Sequence, residues 1–118
     1  MHPLRKLAGA LMLASTVTHL SEPFFFPWSL PLVVAQAYGV SFLFIGVFLL
    51  RGSNRALFWG AVLPLSAAFL GTANSLLHGY MHPITRWHLL VDLIVGPACI
   101  YLLRQNRVRQ EVNGRGHS

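Results

Sequence analysis

A chain of 118 residues suffices for one domain, and with 54% hydrophobic and only 10% charged residues it falls far short of the roughly 25% charge with which soluble domains cover a water-facing surface. Its net charge of +6 is not a nucleic-acid footprint, because the basic residues sit at the ends of apolar runs rather than together on one polar face. A single cysteine, Cys99, excludes an internal disulfide and any multi-cysteine metal site. The fold expected is therefore all-α: a polytopic four-transmembrane-helix bundle forming one domain, 1–118.

The first apolar run covers about 4–20, with Arg5 and Lys6 near its start. Seventeen residues suffice to cross the hydrocarbon, for which roughly 17–25 are needed. Leu7–Val17 also has the length of a signal-peptide h-region, but no A-x-A site follows, and the run continues into His19 and Glu22. We expect it to be retained as a span. Residues 21–31 contain three prolines, which stop the helix, and Phe24, Phe25, Phe26 and Trp28, which suit the headgroup layer.

The second span, 30–50, carries no charge; its polar members, Gln36, Tyr38 and Ser41, lie in its first half. The short turn 51–55 makes the next helix an antiparallel neighbour. That third span covers about 56–81, with a kink expected at Pro64. Ala67, Gly71, Ser75 and Gly79 recur every four residues in it, a small-residue stripe expected to admit a neighbouring helix closely. Thr85 is the expected N-cap of the last helix. The fourth span covers about 87–103, with a kink at Gly96-Pro97, and a frayed basic tail, 104–118, follows.

Eight basic residues (Arg5, Lys6, Arg51, Arg55, Arg104, Arg107, Arg109 and Arg115) fall on one side of this layout and only Arg86 on the other. The positive-inside rule then puts both termini in the cytoplasm, N-in and C-in. The expected location is a bacterial inner (cytoplasmic) membrane.

This orientation gathers His19, Glu22, His78, His82, His88 and Asp92 at the outer end, with Gln36, Asn74 and Arg86 beside them. A carboxylate inside a span costs roughly 2.5–3.5 kcal/mol on insertion scales, so Asp92 should face the bundle interior with a partner. His88 lies one turn above it, and the spacing predicts a unit in which Asp92 orients His88; a bridge from Asp92 to Arg86 or His78 is the structural alternative. The metal or haem candidates are His19, His78, His82, His88 and Asp92. Glu22, Gln36, Asn74 and Arg86 are expected to line the pocket. Imidazoles with a carboxylate suit zinc, copper(II) or iron, and two opposed imidazoles suit b-type haem.

There is no H-E-x-x-H, Cys-x-x-Cys, G-x-S-x-G or phosphate-loop motif. The leading reading is a small subunit or binding protein of a membrane complex with an outer-side site for a metal, haem or pigment, not an enzyme. Two alternatives stand beside it. One is a cofactor-free accessory subunit. The other is a membrane-embedded lipid or terpenoid isomerase or cyclase using Asp92 and His88 as acid and base. The partners expected are the lipid bilayer and either other membrane subunits or a second copy of the chain; nucleic acid is not expected.

Overall fold

The computed structural model describes the backbone of residues 2–116 and the side chains of residues 2–113. Four helices follow in order: α1 (Pro3–Ser21), α2 (Leu30–Leu50), α3 (Asn54–His78) and α4 (Pro83–Gly116), with a single 3-10 turn, Glu22–Phe24, after α1. The helices form a bundle in which chain neighbours pack side by side and α4 closes against α1. The tightest pairs are α1 with α2 and α3 with α4, whereas α2 and α3 are the most loosely joined neighbours. Three helices, α2, α3 and α4, are long and apolar enough to cross a membrane. α1 does not meet that measure: Arg5, Lys6, His19 and its serines and threonines dilute the run. The large apolar side chains that remain exposed, such as Phe44, Phe69, Leu77 and Ile100, point away from the bundle axis, as lipid-facing residues do.

Each helix start has a local cause. Ser29 and Ser53 accept from the backbone N–H of Leu32 and Ala56, both at 3.3 Å, capping α2 and α3. α1 and α4 begin on the same dipeptide, His-Pro. His2 Nδ1 accepts from Leu4 N at 3.0 Å and His82 Nδ1 from Ile84 N at 3.2 Å. Proline follows each cap at the position where a missing N–H costs nothing.

Several boundaries differ from the sequence expectations. α3 ends at His78 rather than near Met81, because Gly79 adopts φ +69° and Tyr80 N bonds back to Ser75 O at 3.2 Å, a left-handed helix stop. α4 starts four residues early, capped by His82 and not by Thr85. The tail expected to fray continues as helix to Gly116. No Gly or Pro interrupts 104–113, Gln105 Nε2 donates to Tyr101 Oη at 2.7 Å, and Asn106 Nδ2 donates to Asn54 Oδ1 at 3.1 Å. His117, Ser118 and the side chain of Arg115, all part of that tail, lie outside the described residues. Pro64 and Pro97 both sit within continuous helices.

At its two glycines the small-residue stripe of α3 does not make the close contact expected of it, although Ala67 packs against the core. A Cβ on Gly71 would meet nothing nearer than Thr85 Cγ2 at 3.9 Å, and one on Gly79 nothing within 4 Å. The close approaches lie elsewhere. At Gly9 a Cβ would come within 2.8 Å of Leu50, at Gly39 within 2.7 Å of His19 Cβ, and at Gly60 within 2.7 Å of Cys99 Sγ. The core runs through these contacts, around Met12, Phe42, Leu49, Leu57, Val91, Val95 and Cys99. At the end of the core away from His19, Arg5 is buried. Its guanidinium donates to Leu49 O at 3.2 Å, Ser53 O at 3.0 Å and Asn54 Oδ1 at 3.2 Å, tying α1 to the α2–α3 turn.

Candidate metal centre

The buried stripe of α1 is Arg5, Ala8, Gly9, Met12, Ser15, Thr16 and His19, a three-to-four-residue period that carries one face of the helix into the bundle. His19 lies in the last turn of that face. Pro23 then ends the α-helical ladder, and Glu22 opens the 3-10 turn with its side chain still directed inward. The end of α1 is held from α2. Gln36 Nε2 donates to the His19 carbonyl, and Gly39 lets the His19 Cβ lie against its backbone, where any larger residue would collide. Across from α1, α4 contributes His88 and Asp92 from its own buried face, 88, 91, 92, 95, 98, 99 and 102.

His19, Glu22 and His88 converge so that one ligand atom from each lies within 4.8 Å of the others, and all three residues are buried. Glu22 Oε1 is 3.3 Å from His19 Nδ1 and 3.4 Å from His88 Nδ1. Metal–ligand bonds of about 2.0–2.1 Å in tetrahedral geometry place neighbouring ligand atoms about 3.4 Å apart. The carboxylate-to-imidazole separations therefore match a shared ion. The imidazole rings themselves are stacked, with centroids 3.7 Å apart and planes 10° from parallel. Two axial haem ligands instead oppose their nitrogens across the macrocycle, so this arrangement does not support haem. His19, Glu22 and His88 would be the residues to hold an ion, and the stacked rings would have to splay for both imidazole lone pairs to reach it.

Thr18 sets the orientation of His88. Its Oγ1 lies 2.6 Å from His88 Nε2, accepts from Trp87 Nε1 at 3.2 Å, and reaches the Ser15 carbonyl at 2.9 Å. One hydroxyl hydrogen goes either to His88 Nε2 or back to its own helix, where Ser15 O at 2.9 Å is nearer than Ala14 O at 3.4 Å. Donated to Ser15 O, it leaves His88 Nε2 as an N–H donor and Nδ1 as a bare lone pair facing Glu22. Donated to Nε2, it makes Nδ1 the N–H, directed at the Glu22 carboxylate. The first arrangement turns a lone pair and an anionic oxygen toward one point, which a cation between them makes favourable. The second satisfies His88 and Glu22 without a cation. Neither nitrogen of His19 makes a hydrogen bond, and Ser15 Oγ and Asp92 Oδ1 are likewise buried without a partner among the described residues.

The other residues expected at the site are placed differently. His88 is oriented by Thr18 and Glu22, and no bond joins it to Asp92, which corrects the expected His88–Asp92 unit. Nor does Asp92 bridge to Arg86 or His78 among the described residues. With α4 beginning at Pro83, Asp92 lies nine residues into the helix, about 13 Å at 1.5 Å per residue, deeper than a start at Trp87 implied. His78 is exposed and bonds its own helix, Nδ1 to Asn74 O at 2.8 Å. Arg86 is exposed and is among neither the residues that line the cavity nor those of the cluster. His82 caps α4 and stands edge-on to Phe26 at 5.0 Å. It lines a cavity of about 560 Å³ shared with His19, Glu22, Asn74, His88 and Asp92. Thr18 and Trp87 escaped the sequence reading. Thr18 is adjacent to His19 in sequence but off the buried stripe, so no periodicity marks it.

Comparison with protein-family models, with curated proteins and with solved structures finds no match for this chain.

Proposed function

We propose that the chain is a small integral membrane protein that binds a divalent first-row transition ion through His19, Glu22 and His88, and serves as a binding protein or subunit in a larger membrane assembly. One observation carries the reading: two imidazole nitrogens and one carboxylate oxygen, all buried, converge with no Lys or Arg among the described residues to balance the carboxylate. Two imidazoles and a carboxylate are a donor set used for zinc and for non-haem iron, with at least one coordination position left open. Here that position faces the cavity. Thr18 and Trp87 supply the outer hydrogen bonds that hold a ligating histidine in one ring orientation.

The test is metal content of the detergent-purified full chain after exposure to zinc or iron(II) and removal of excess ion. One equivalent per chain is expected, lost in His19→Ala and in His88→Ala. A wild-type protein that retains no ion would overturn the reading. The cofactor-free alternative draws on the second Thr18 arrangement, in which the cluster only fastens α1 to α4. It expects both alanine variants to melt lower than wild type with no ion involved in either.

The site lies at the outer face of a bacterial inner membrane in this reading, because the basic residues concentrate at the opposite end of the helices. A reporter active only in the periplasm, fused after Ser118, is expected to be silent. Activity there would reverse the orientation.

A further inference from the structure

The cavity beside the cluster has two properties the metal reading does not use. The first is its opening. Tyr38 Oη and Ser66 Oγ, 2.9 Å apart, join α2 to α3. Toward the outer end the wall is made of small residues, Ala35, Ala67, Ala68 and Gly71, where the two helices are loosely joined. The rim there carries Leu30, Val34 and Leu70, all exposed on the lipid-facing side. A molecule dissolved in the bilayer thus reaches the cavity without crossing the headgroups.

The second property is its polar end. Asp92 is 2% exposed and lines the cavity with Oδ1 unpartnered, and His19, 6% exposed, lines it with both nitrogens free of hydrogen bonds. A buried acceptor left unmet costs about 1–3 kcal/mol, so a ligand that satisfies it gains affinity over one that does not. Among the described residues no Lys or Arg lines the space, whereas Glu22 and Asp92 do, so an anionic head is disfavoured. A carboxyl oxygen accepts a hydrogen bond in either protonation state. The complementary head is neutral and carries an O–H. The volume of about 560 Å³ lies within the roughly 300–1,000 Å³ range of small-molecule pockets.

We propose that this cavity binds a lipid-soluble alcohol, admitted from the bilayer between α2 and α3, with its apolar body along Ala35, Ala68 and Gly71 and its hydroxyl donated to Asp92. The inference does not require an ion at His19, Glu22 and His88.

The experiment uses the full chain in nanodiscs after chelator treatment, labelled by a diazirine analogue of farnesol. Labelling is expected on the outer halves of α2 and α3, and farnesol is expected to compete at least tenfold better than farnesyl methyl ether, which cannot donate. Gly71→Leu places a side chain in the cavity, where a Cβ has open space. It should cut labelling at least tenfold at unchanged melting temperature. Asp92→Leu should erase the preference of alcohol over ether. Equal competition by alcohol and ether, stronger competition by farnesylamine, or full labelling of Gly71→Leu would each overturn the proposal. Because the ion has been removed, these outcomes are independent of whether the cluster binds metal.

Discussion

Glu22→Gln is expected to weaken metal loading by more than about 100-fold, beyond the roughly 10–100-fold typical of changes to groups that only support a ligand. Glutamine keeps the shape of the side chain and its place in the 3-10 turn, so the end of α1 should hold. What changes is the charge and the donor pattern. The carboxylate is the only anionic group in the cluster, and its Oε1 stands 3.3 and 3.4 Å from the two Nδ1 atoms. An amide there offers either a weaker carbonyl ligand or an NH2 group that repels a cation. Thr18→Val, which removes the hydroxyl beside His88 Nε2 while keeping the branched shape, is the graded companion. It should cost about 10–100-fold in affinity and leave stoichiometry intact at saturating ion. Isothermal titration with zinc on the detergent-solubilised chain reads both. If Glu22→Gln titrates like wild type, the carboxylate is not a ligand.

Arg5→Met is expected to destabilise the bundle by about 3 kcal/mol, since hydrogen bonds to charged groups contribute roughly 1.5–3 kcal/mol each and are not additive. The guanidinium is 8% exposed and donates to the carbonyls of Leu49 and Ser53 and to the Asn54 side chain. These carbonyls lie at the C-terminal end of α2 and in the following turn, where the helix leaves acceptors unmet and its dipole favours a cation. Methionine fills similar volume but removes all three charge-assisted donations, leaving Asn54 Oδ1 with Asn106 Nδ2 and Leu49 O with the Gly52 N–H. Lysine in place of Arg5 should recover part of the loss, as it keeps the charge but not the fork of donors. Orientation should not change, because seven of the eight basic residues on that side remain. Melting in detergent, read by circular dichroism, measures the effect; a Met variant as stable as wild type would show that the carbonyls find other donors.

Much of the architecture was legible because lipid imposes a coarse rule: long apolar runs separated by breakers. Leu30–Leu50 is the same segment in sequence and in structure, since Ser29 caps it and Arg51-Gly52 ends it. The boundaries that moved did so for local reasons that single positions conceal. His82 and Thr85 are both plausible caps, and the choice between them rests on whether Pro83 begins the helix. The α3 stripe of Ala67, Gly71 and Ser75 has the right period for close packing, yet period alone cannot distinguish a surface that meets a helix from one that borders a void.

The site divides in the same way. His19, Glu22, His88 and Asp92 could be assigned to one end of the molecule from charge and depth. Their pairing could not be read, because i, i+4 spacing links His88 to Asp92 and His78 to Asn74 within their own helices. The contacts that matter to the cluster cross between α1 and α4, and depend on rotation about two helix axes. Depth alone groups His78 with the candidate ligands, although its ring turns back to its own backbone.

α1 is the one of the four helices that falls below the measure for a membrane span, and it is fastened at both ends by polar contacts, the Arg5 guanidinium to Leu49 O at one and the His19 carbonyl accepting from Gln36 Nε2 at the other. These positions are fourteen residues apart, close to four full turns at 3.6 residues per turn. The two attachments are thus in phase along one rod, and the residues between them act as a spacer of fixed pitch. A rod pinned in phase at two points can neither screw nor slide without releasing one of them. The helix that carries His19, one of the three residues of the cluster, is for that reason held in rotation by the rest of the bundle.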